Sequence, residues 1–311
     1  MPVSKVTVDE AGRYGGPKLR DGLVVAFFRQ VPFDEWATDV LQAFELFEQT
    51  IPEDALAHIL VGAKASRDWP YSMRTRAQAL KQFDPSKAAQ RRISSVEVWG
   101  PQPVNADYHF DMWGGSNAQR VEGNGATNYV HFRFPTAFGG EDGGALVDFA
   151  RGVAERLPFD SGYASPALHW STEGELIDTR RAVPGIALRH PGFDVHDHPS
   201  VRYELGRSCI GPRWLSFLGH ELLETLGGTE ALESALGGVA AVEAFGHGAQ
   251  IRVATPPNPG DVNIGDTLPE LRALAEVLQP VTHFAEGSKL FPSEGDAFER
   301  WQQRFLDEWR S

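Results

Sequence analysis

Ile210 to Gly228 (Ile-Gly-Pro-Arg-Trp-Leu-Ser-Phe-Leu-Gly-His-Glu-Leu-Leu-Glu-Thr-Leu-Gly-Gly) is the stretch that most constrains the fold. Leu215, Leu218, Leu222 and Leu226 recur at three- and four-residue steps, and Trp214 widens the stripe. That spacing predicts one helix with a broad apolar face, laid against a sheet. Pro212 suits its first turn, where a missing N–H has no intrahelical partner anyway. Gly227 and Gly228 suit its C-terminal end. Gly219 is costly inside a helix and marks a close approach to another backbone.

The rest of the chain reads as helices against a mainly antiparallel sheet. Gly22–Arg29 is almost wholly apolar, as a strand buried on both faces should be. Asp34 is placed to cap a helix reaching Thr50, with Trp36, Val40, Phe44 and Phe47 inward. Leu56–Ala63 reads as a strand, and Met73–Phe83 as a helix closed by Pro85. Ile93–Trp99, Asp107–Trp113 and Thr127–Phe134 alternate as strands. Their meander predicts one wet face, bearing Tyr129, His131 and Arg133, and one dry face. Gly143–Leu157 is a helix, Gly162–Trp170 a strand and Glu173–Arg181 a short helix. Val183–Pro199 reads as an irregular loop and Val201–Leu205 as a strand. Thr229–Leu236 is helical, and Val239–Phe245 with Ala249–Ala254 forms a hairpin. Leu268–Leu278, capped by Asp266 or Thr267, and Asp296–Trp309 are closing helices. The fold class is α+β: residues 1–20 are a loose or short-stranded lead-in, and residues 21–311 form one domain.

Composition narrows the function. The net charge of −13 opposes nucleic-acid binding through a basic surface; it permits fast association with a basic protein, although on composition alone it reads first as a device for solubility. No apolar run has membrane-spanning length, and the N-terminus lacks a signal-peptide layout. Cys209 has no internal partner, so a cytoplasmic location is expected and the thiol reads as a small buried hydrophobe.

Enzyme-like patterns are incomplete. His220-Glu221-Leu222-Leu223-Glu224 begins like a zinc-protease helix, but position 224 is Glu where a second His is needed to face the same metal. Asp261–Asp266 imitates a calcium loop, yet its glycine is fifth and its twelfth residue is Arg272. His196 and His198 form a His-x-His pair flanked by Asp194 and Asp197, with His190 close by. These three histidines are the candidate metal ligands and define the alternative reading, a metal-dependent hydrolase. Trp69, Trp99, Trp113 and Trp170 are candidate interface anchors.

A family likeness rests on the order of short motifs. These are Arg189-His190-Pro191-Gly192-Phe193-Asp194, Trp214-Leu215-Ser216-Phe217-Leu218-Gly219, Leu226-Gly227-Gly228, Pro257-Asn258-Pro259-Gly260-Asp261-Val262-Asn263 and Leu278-Gln279-Pro280. In that order the chain resembles the bacterial type VI immunity family, once described only as a domain of unknown function. The resemblance implies a non-catalytic antitoxin, without cofactor, that binds a cognate secreted effector. It further implies that the effector can be a basic nuclease domain, and it carries over no catalytic residue. Carboxylates would then occupy the toxin's phosphate-binding cleft. Asp194, Asp197, Glu141 and Asp142 are the candidate contacts.

Overall fold

The computed structural model describes residues 7–11, 17–101, 107–116, 127–170, 176–195, 197–253 and 256–306. Its centre is β2 (Pro17–Arg29), thirteen residues long. β2 pairs antiparallel with β7 (Asn128–Phe134) on one side and β8 (Ser161–Trp170) on the other, and its first residues also pair with β1 (Thr7–Ala11). Leu23, Val25 and Phe27 face one side of the sheet while Val24, Ala26 and Phe28 face the other, and all six are buried. A strand covered on both faces has no use for polar alternation, which explains its continuous apolar run.

Outward from β7 lie β6 (His109–Gly115), β5 (Ile93–Trp99), β3 (His58–Val61) and the two-residue β4 (Trp69–Pro70). Outward from β8 lie β9 (Leu215–Gly219), β11 (Gly248–Val253) and β10 (Ala240–Phe245). The eleven strands among the described residues make one antiparallel sheet, with β4 and β10 at its ends.

The front face is dry. Helix α1 (Ala37–Thr50) follows a short 3-10 turn at Phe33–Glu35, and α2 (Met73–Ala79) and α3 (Pro85–Ala88) come later in the chain. Helix α4 (Gly144–Arg156) lies beside α1. Val40, Phe44 and Phe47 of α1 meet Leu146, Phe149 and Val153 of α4 in one core with Phe110, Phe132 and Phe134 of the sheet. Phe47 contacts Phe110, Phe132, Phe134 and Phe149, with ring centroids 5.5–6.3 Å apart. Offset and edge-on aromatic pairs add to simple burial.

The predicted helix over Ile210–Gly228 is two elements. Leu215–Gly219 is a strand buried along its whole length, and only His220–Thr225 is helical (α7). Leucines at three- and four-residue steps also fit a strand whose two faces are both covered, so periodicity alone could not separate the two. Gly219 does mark a close approach: a Cβ there would lie 2.4 Å from the Phe159 carbonyl oxygen.

Other boundaries also move. Asp34 does not cap α1; the cap position is Trp36, whose side chain makes no capping bond. Pro85 opens α3 instead of closing a helix. The first part of the expected loop at 183–199 is the end of helix α5 (Leu176–Arg189), which carries Pro184 within it. Val201–Leu205 is no strand but the end of α6 (His198–Val201) and the turns after it. Helix α8 (Thr229–Leu236) and the β10–β11 hairpin form as expected. Helix α9 (Pro269–Leu278) starts from Leu268, not from an Asp266 or Thr267 cap; Leu268 holds φ at 53°, the left-handed region that a branched side chain seldom occupies. Helix α10 (Ala297–Gln303) is the described part of the last predicted helix. Among the described residues no helix is long and apolar enough to cross a membrane.

Candidate functional site

The back of the sheet carries a polar layer. The register aligns Glu97, Asp111, His131, Ala26, Tyr163 and Ser216 across six strands. The next row aligns Trp99, His109, Arg133, Val24 and Ser165. The face predicted to be wet is therefore polar, but it is buried: His109, Tyr129, His131, Tyr163, Ser165 and His169 are all inside. The chain from α5 to Arg213 supplies part of its cover. Where β9 stops pairing with β8, the backbone of Asp194 takes the vacant edge, bonding to Pro166 and Leu168.

Side chains fasten the cover down. The Tyr163 hydroxyl donates to Asp194 Oδ2 at 2.9 Å and lies 2.7 Å from His198 Nε2. Arg213 Nη2 donates to Asp194 Oδ1 at 3.0 Å. The His131 and His198 rings sit 4.3 Å apart between centroids. Lys289 Nζ lies 2.9 Å from Asp197 Oδ1. Nearer the β5 end, His109 Nε2 is 2.9 Å from Glu97 Oε1 and the Tyr129 hydroxyl donates to Asp111 Oδ2 at 2.8 Å. Buried polar groups are tolerable only with such partners.

Burial sets the protonation states. It pushes His131 well below its ordinary range, helped by the charges of His198 and Arg133. It does the same to His169, with Arg133 and Arg20 adding to the effect. His109 is lowered chiefly by burial, so its neutral ring donates from Nε2 to Glu97. The Asp111 carboxyl rises to about 7, first through burial and then through Glu97 directly across the strand pair. Glu97, Asp111, Trp113 and Arg202 line an open cleft of about 290 Å³, with the Arg202 guanidinium 4.3 Å above the Trp113 ring.

Two of the four candidate contact carboxylates lie inside. Asp194 and Asp197 are buried within the cover, bonded to Tyr163 and Arg213 and to Lys289 respectively, whereas Glu141 and Asp142 stand exposed before α4. His196 lies outside the described residues. His190 and His198 have different partners: His190 Nδ1 lies 2.6 Å from the Gly260 carbonyl, and His198 faces Tyr163. Among the described residues no group of three or more His, Cys, Asp or Glu could hold a metal. Glu221 of the protease-like motif pairs with Arg207. Asp261 of the calcium-like loop takes a two-pronged bond from Arg189, at 3.0 and 2.7 Å, and caps the turn at Asn263. Cys209 is buried, and burial raises its thiol pKa. Of the four tryptophans, Trp69 is 55% exposed, Trp99 is half-buried, and Trp113 and Trp170 are inside.

Sequence reading missed Tyr163, Arg213, Glu97 and Asp111 as members of one layer. Tyr163, Glu97 and Asp111 sit on strands that only the register brings into line, and Arg213 joins them through Asp194. The alternation of Tyr129, His131 and Arg133 was the visible trace of that layer.

The arrangement is one of holding. Its carboxylates, imidazoles and phenols bond to one another and tie the cover to the sheet. Comparison with known proteins places this scaffold. No curated protein matches the chain. A solved structure described as Pseudomonas aeruginosa T6SS protein PA0821 shares the fold, with a TM-score of 0.77 at 19% identity over 97% of this chain and 87% of that one. The family TsiV, described as type VI immunity for VRR-NUC, matches residues 39–305. With most of its length inside that match, the chain belongs to the family of type VI immunity proteins for VRR-NUC effectors.

Proposed function

We propose that the protein protects its cell by stoichiometric capture of a VRR-NUC effector, without catalysis and in the cytoplasm. The observation that carries this reading is the family match over residues 39–305. The charge supports it: a nuclease must attract a polyanion with Lys and Arg, and a protein of net charge −13 is drawn to the same surface. Steric and electrostatic occlusion needs no reacting group. A standard interface of roughly 1,600 Å² with a few anchoring side chains suffices. Glu141 and Asp142, exposed at the entry to α4, are available for such contact. Nucleic acid itself is not a ligand in this reading.

The test is co-expression with the nuclease effector in a bacterial host, scoring survival and co-purification together. Rescue with a stable complex is expected. Survival without a complex would point to enzymatic neutralisation and overturn capture. Death with both proteins folded would remove that pairing.

A further inference from the structure

The two ends of the sheet are finished differently. At one end β4 has two residues, and Pro70 removes one of its backbone donors. At the other end β10 runs for six residues in unbroken register with β11, from Ala240↔Val253 to Phe245↔Gly248, and among the described residues no further strand lies beyond it. The connection is the two-residue turn Gly246-His247, which closes on the Phe245–Gly248 pair. Hydrogen-bonded and open pairs alternate from there. Phe245, Glu243 and Ala241 exchange bonds with β11, while Val242 and Ala244 turn their N–H and C=O groups outward. A long, regular, unpaired edge is a template for another strand.

Charge says which strand. From Trp214 to Ile251 the chain has five Glu (Glu221, Glu224, Glu230, Glu233 and Glu243) and neither Lys nor Arg; Arg207 and Arg151 pair with Glu221 and Glu243, and Arg252 stands exposed on β11 opposite Ala241, which leaves the surplus carboxylates on Glu224, Glu230 and Glu233. Glu224, Glu230 and Glu233 are exposed and lie in no ion pair among the described residues. A second copy would bring the same carboxylates against themselves, so self-pairing of this edge is disfavoured. An extended segment rich in Lys and Arg is favoured.

We propose that β10 is the docking edge, and that the effector adds a basic strand to it. This rests on the immunity reading and names the surface through which it operates. Main-chain bonds from Val242 and Ala244 supply the pairing, and the carboxylates of α8 select for basic residues.

The test uses the full chain and the nuclease domain of its effector, with titration calorimetry, amide hydrogen exchange and survival read in parallel. The variants are Ala244→Pro, which removes one outward donor at a position where an edge strand tolerates proline, and Glu230→Lys/Glu233→Lys, which leaves the strand intact. Circular dichroism checks that each folds. The expected result is slower exchange at residues 240–245 in the complex and affinity about tenfold or more weaker in each variant. If the wild type binds and protects while residues 240–245 exchange as before and both variants bind at full strength, the docking surface is elsewhere and the immunity reading stands. If the wild type neither binds nor protects, the immunity reading itself fails. If these amides are protected by concentration alone, without effector, a second copy occupies the edge and the proposal is overturned. Should Ala244→Pro not fold, the exchange pattern and the charge-reversed variant decide.

Discussion

Arg213 and Asp194 form an ion pair 3.0 Å long with only 2% and 3% of their side chains exposed. The pair joins the chain just before β9 to the segment beside β8, and Tyr163 bonds the same carboxylate. Removing one partner takes a counter-charge away from a buried group. Arg213→Met or Asp194→Leu is expected to lose ~3–5 kcal/mol in urea unfolding. The double variant should lose less than the sum of the two, since neither charge is then left alone. Additive losses would show that the pair does not hold the cover.

Stability should fall on mild acidification. His131, His169 and His109 all have folded pKa values below their unfolded value of about 6.5, so the unfolded chain takes up protons first. Their contribution is present above pH 6.5 and is lost as pH drops toward the folded values. Melting temperature measured from pH 8 to pH 5 is expected to decline below pH 6.5. A flat profile in the Asp111→Asn variant, which lacks the opposing contribution of that carboxyl, would mean that these rings are not held neutral.

Asp111 acts in the opposite sense. Its folded pKa of about 7 stands above the unfolded value, so its contribution is present at pH 4 and lost as pH rises through 7. Asp111→Asn keeps an acceptor for Tyr129 and removes the charge facing Glu97. The variant should melt higher than wild type at pH 8, with the gain shrinking toward pH 5. An equal shift at both pH values would assign the effect to packing.

The front core should respond differently. Phe47→Ala opens a hole among Phe110, Phe132, Phe134 and Phe149 and is expected to cost ~3–5 kcal/mol at any pH between 5 and 8. Trp69→Ala, by contrast, is expected to change stability by no more than ~0.5 kcal/mol, because its ring is mostly in solvent.

Gly219→Ala is predicted to destabilise, since the new methyl group meets the Phe159 carbonyl and the backbone of Asp160. Backbone cannot yield as a flexible side chain does. A loss above ~1 kcal/mol by denaturant titration would confirm the close approach.

These elements also show what a single sequence reveals. Trp36, Val40, Phe44 and Phe47 were legible as one buried stripe, because a helix between a core and solvent alternates at its own period. The Thr127–Phe134 strand was legible at period two because one of its faces is apolar and the other polar, although both are buried. Leu215–Gly219 was not, because a strand covered on both faces carries no alternation and its leucines fit a helix equally well. Asp194 and Asp197 read as surface carboxylates because nothing local announces Arg213, Tyr163 or Lys289 as their partners. The immunity assignment was legible from motif order, whereas the open edge of β10 became visible only when the strand order was known.

The centrality of β2 has a consequence for synthesis. Val25 has to wait for Phe132 and then for Ala164 before it has neighbours on both sides. A growing chain adds roughly 5–20 residues per second, so this apolar strand stays unsatisfied for several seconds at the ribosome. Distant pairings of this kind also slow folding once the chain is complete. A cell that relies on such a protein is guarded by the stock it already holds, and new copies reach the pool only after that delay.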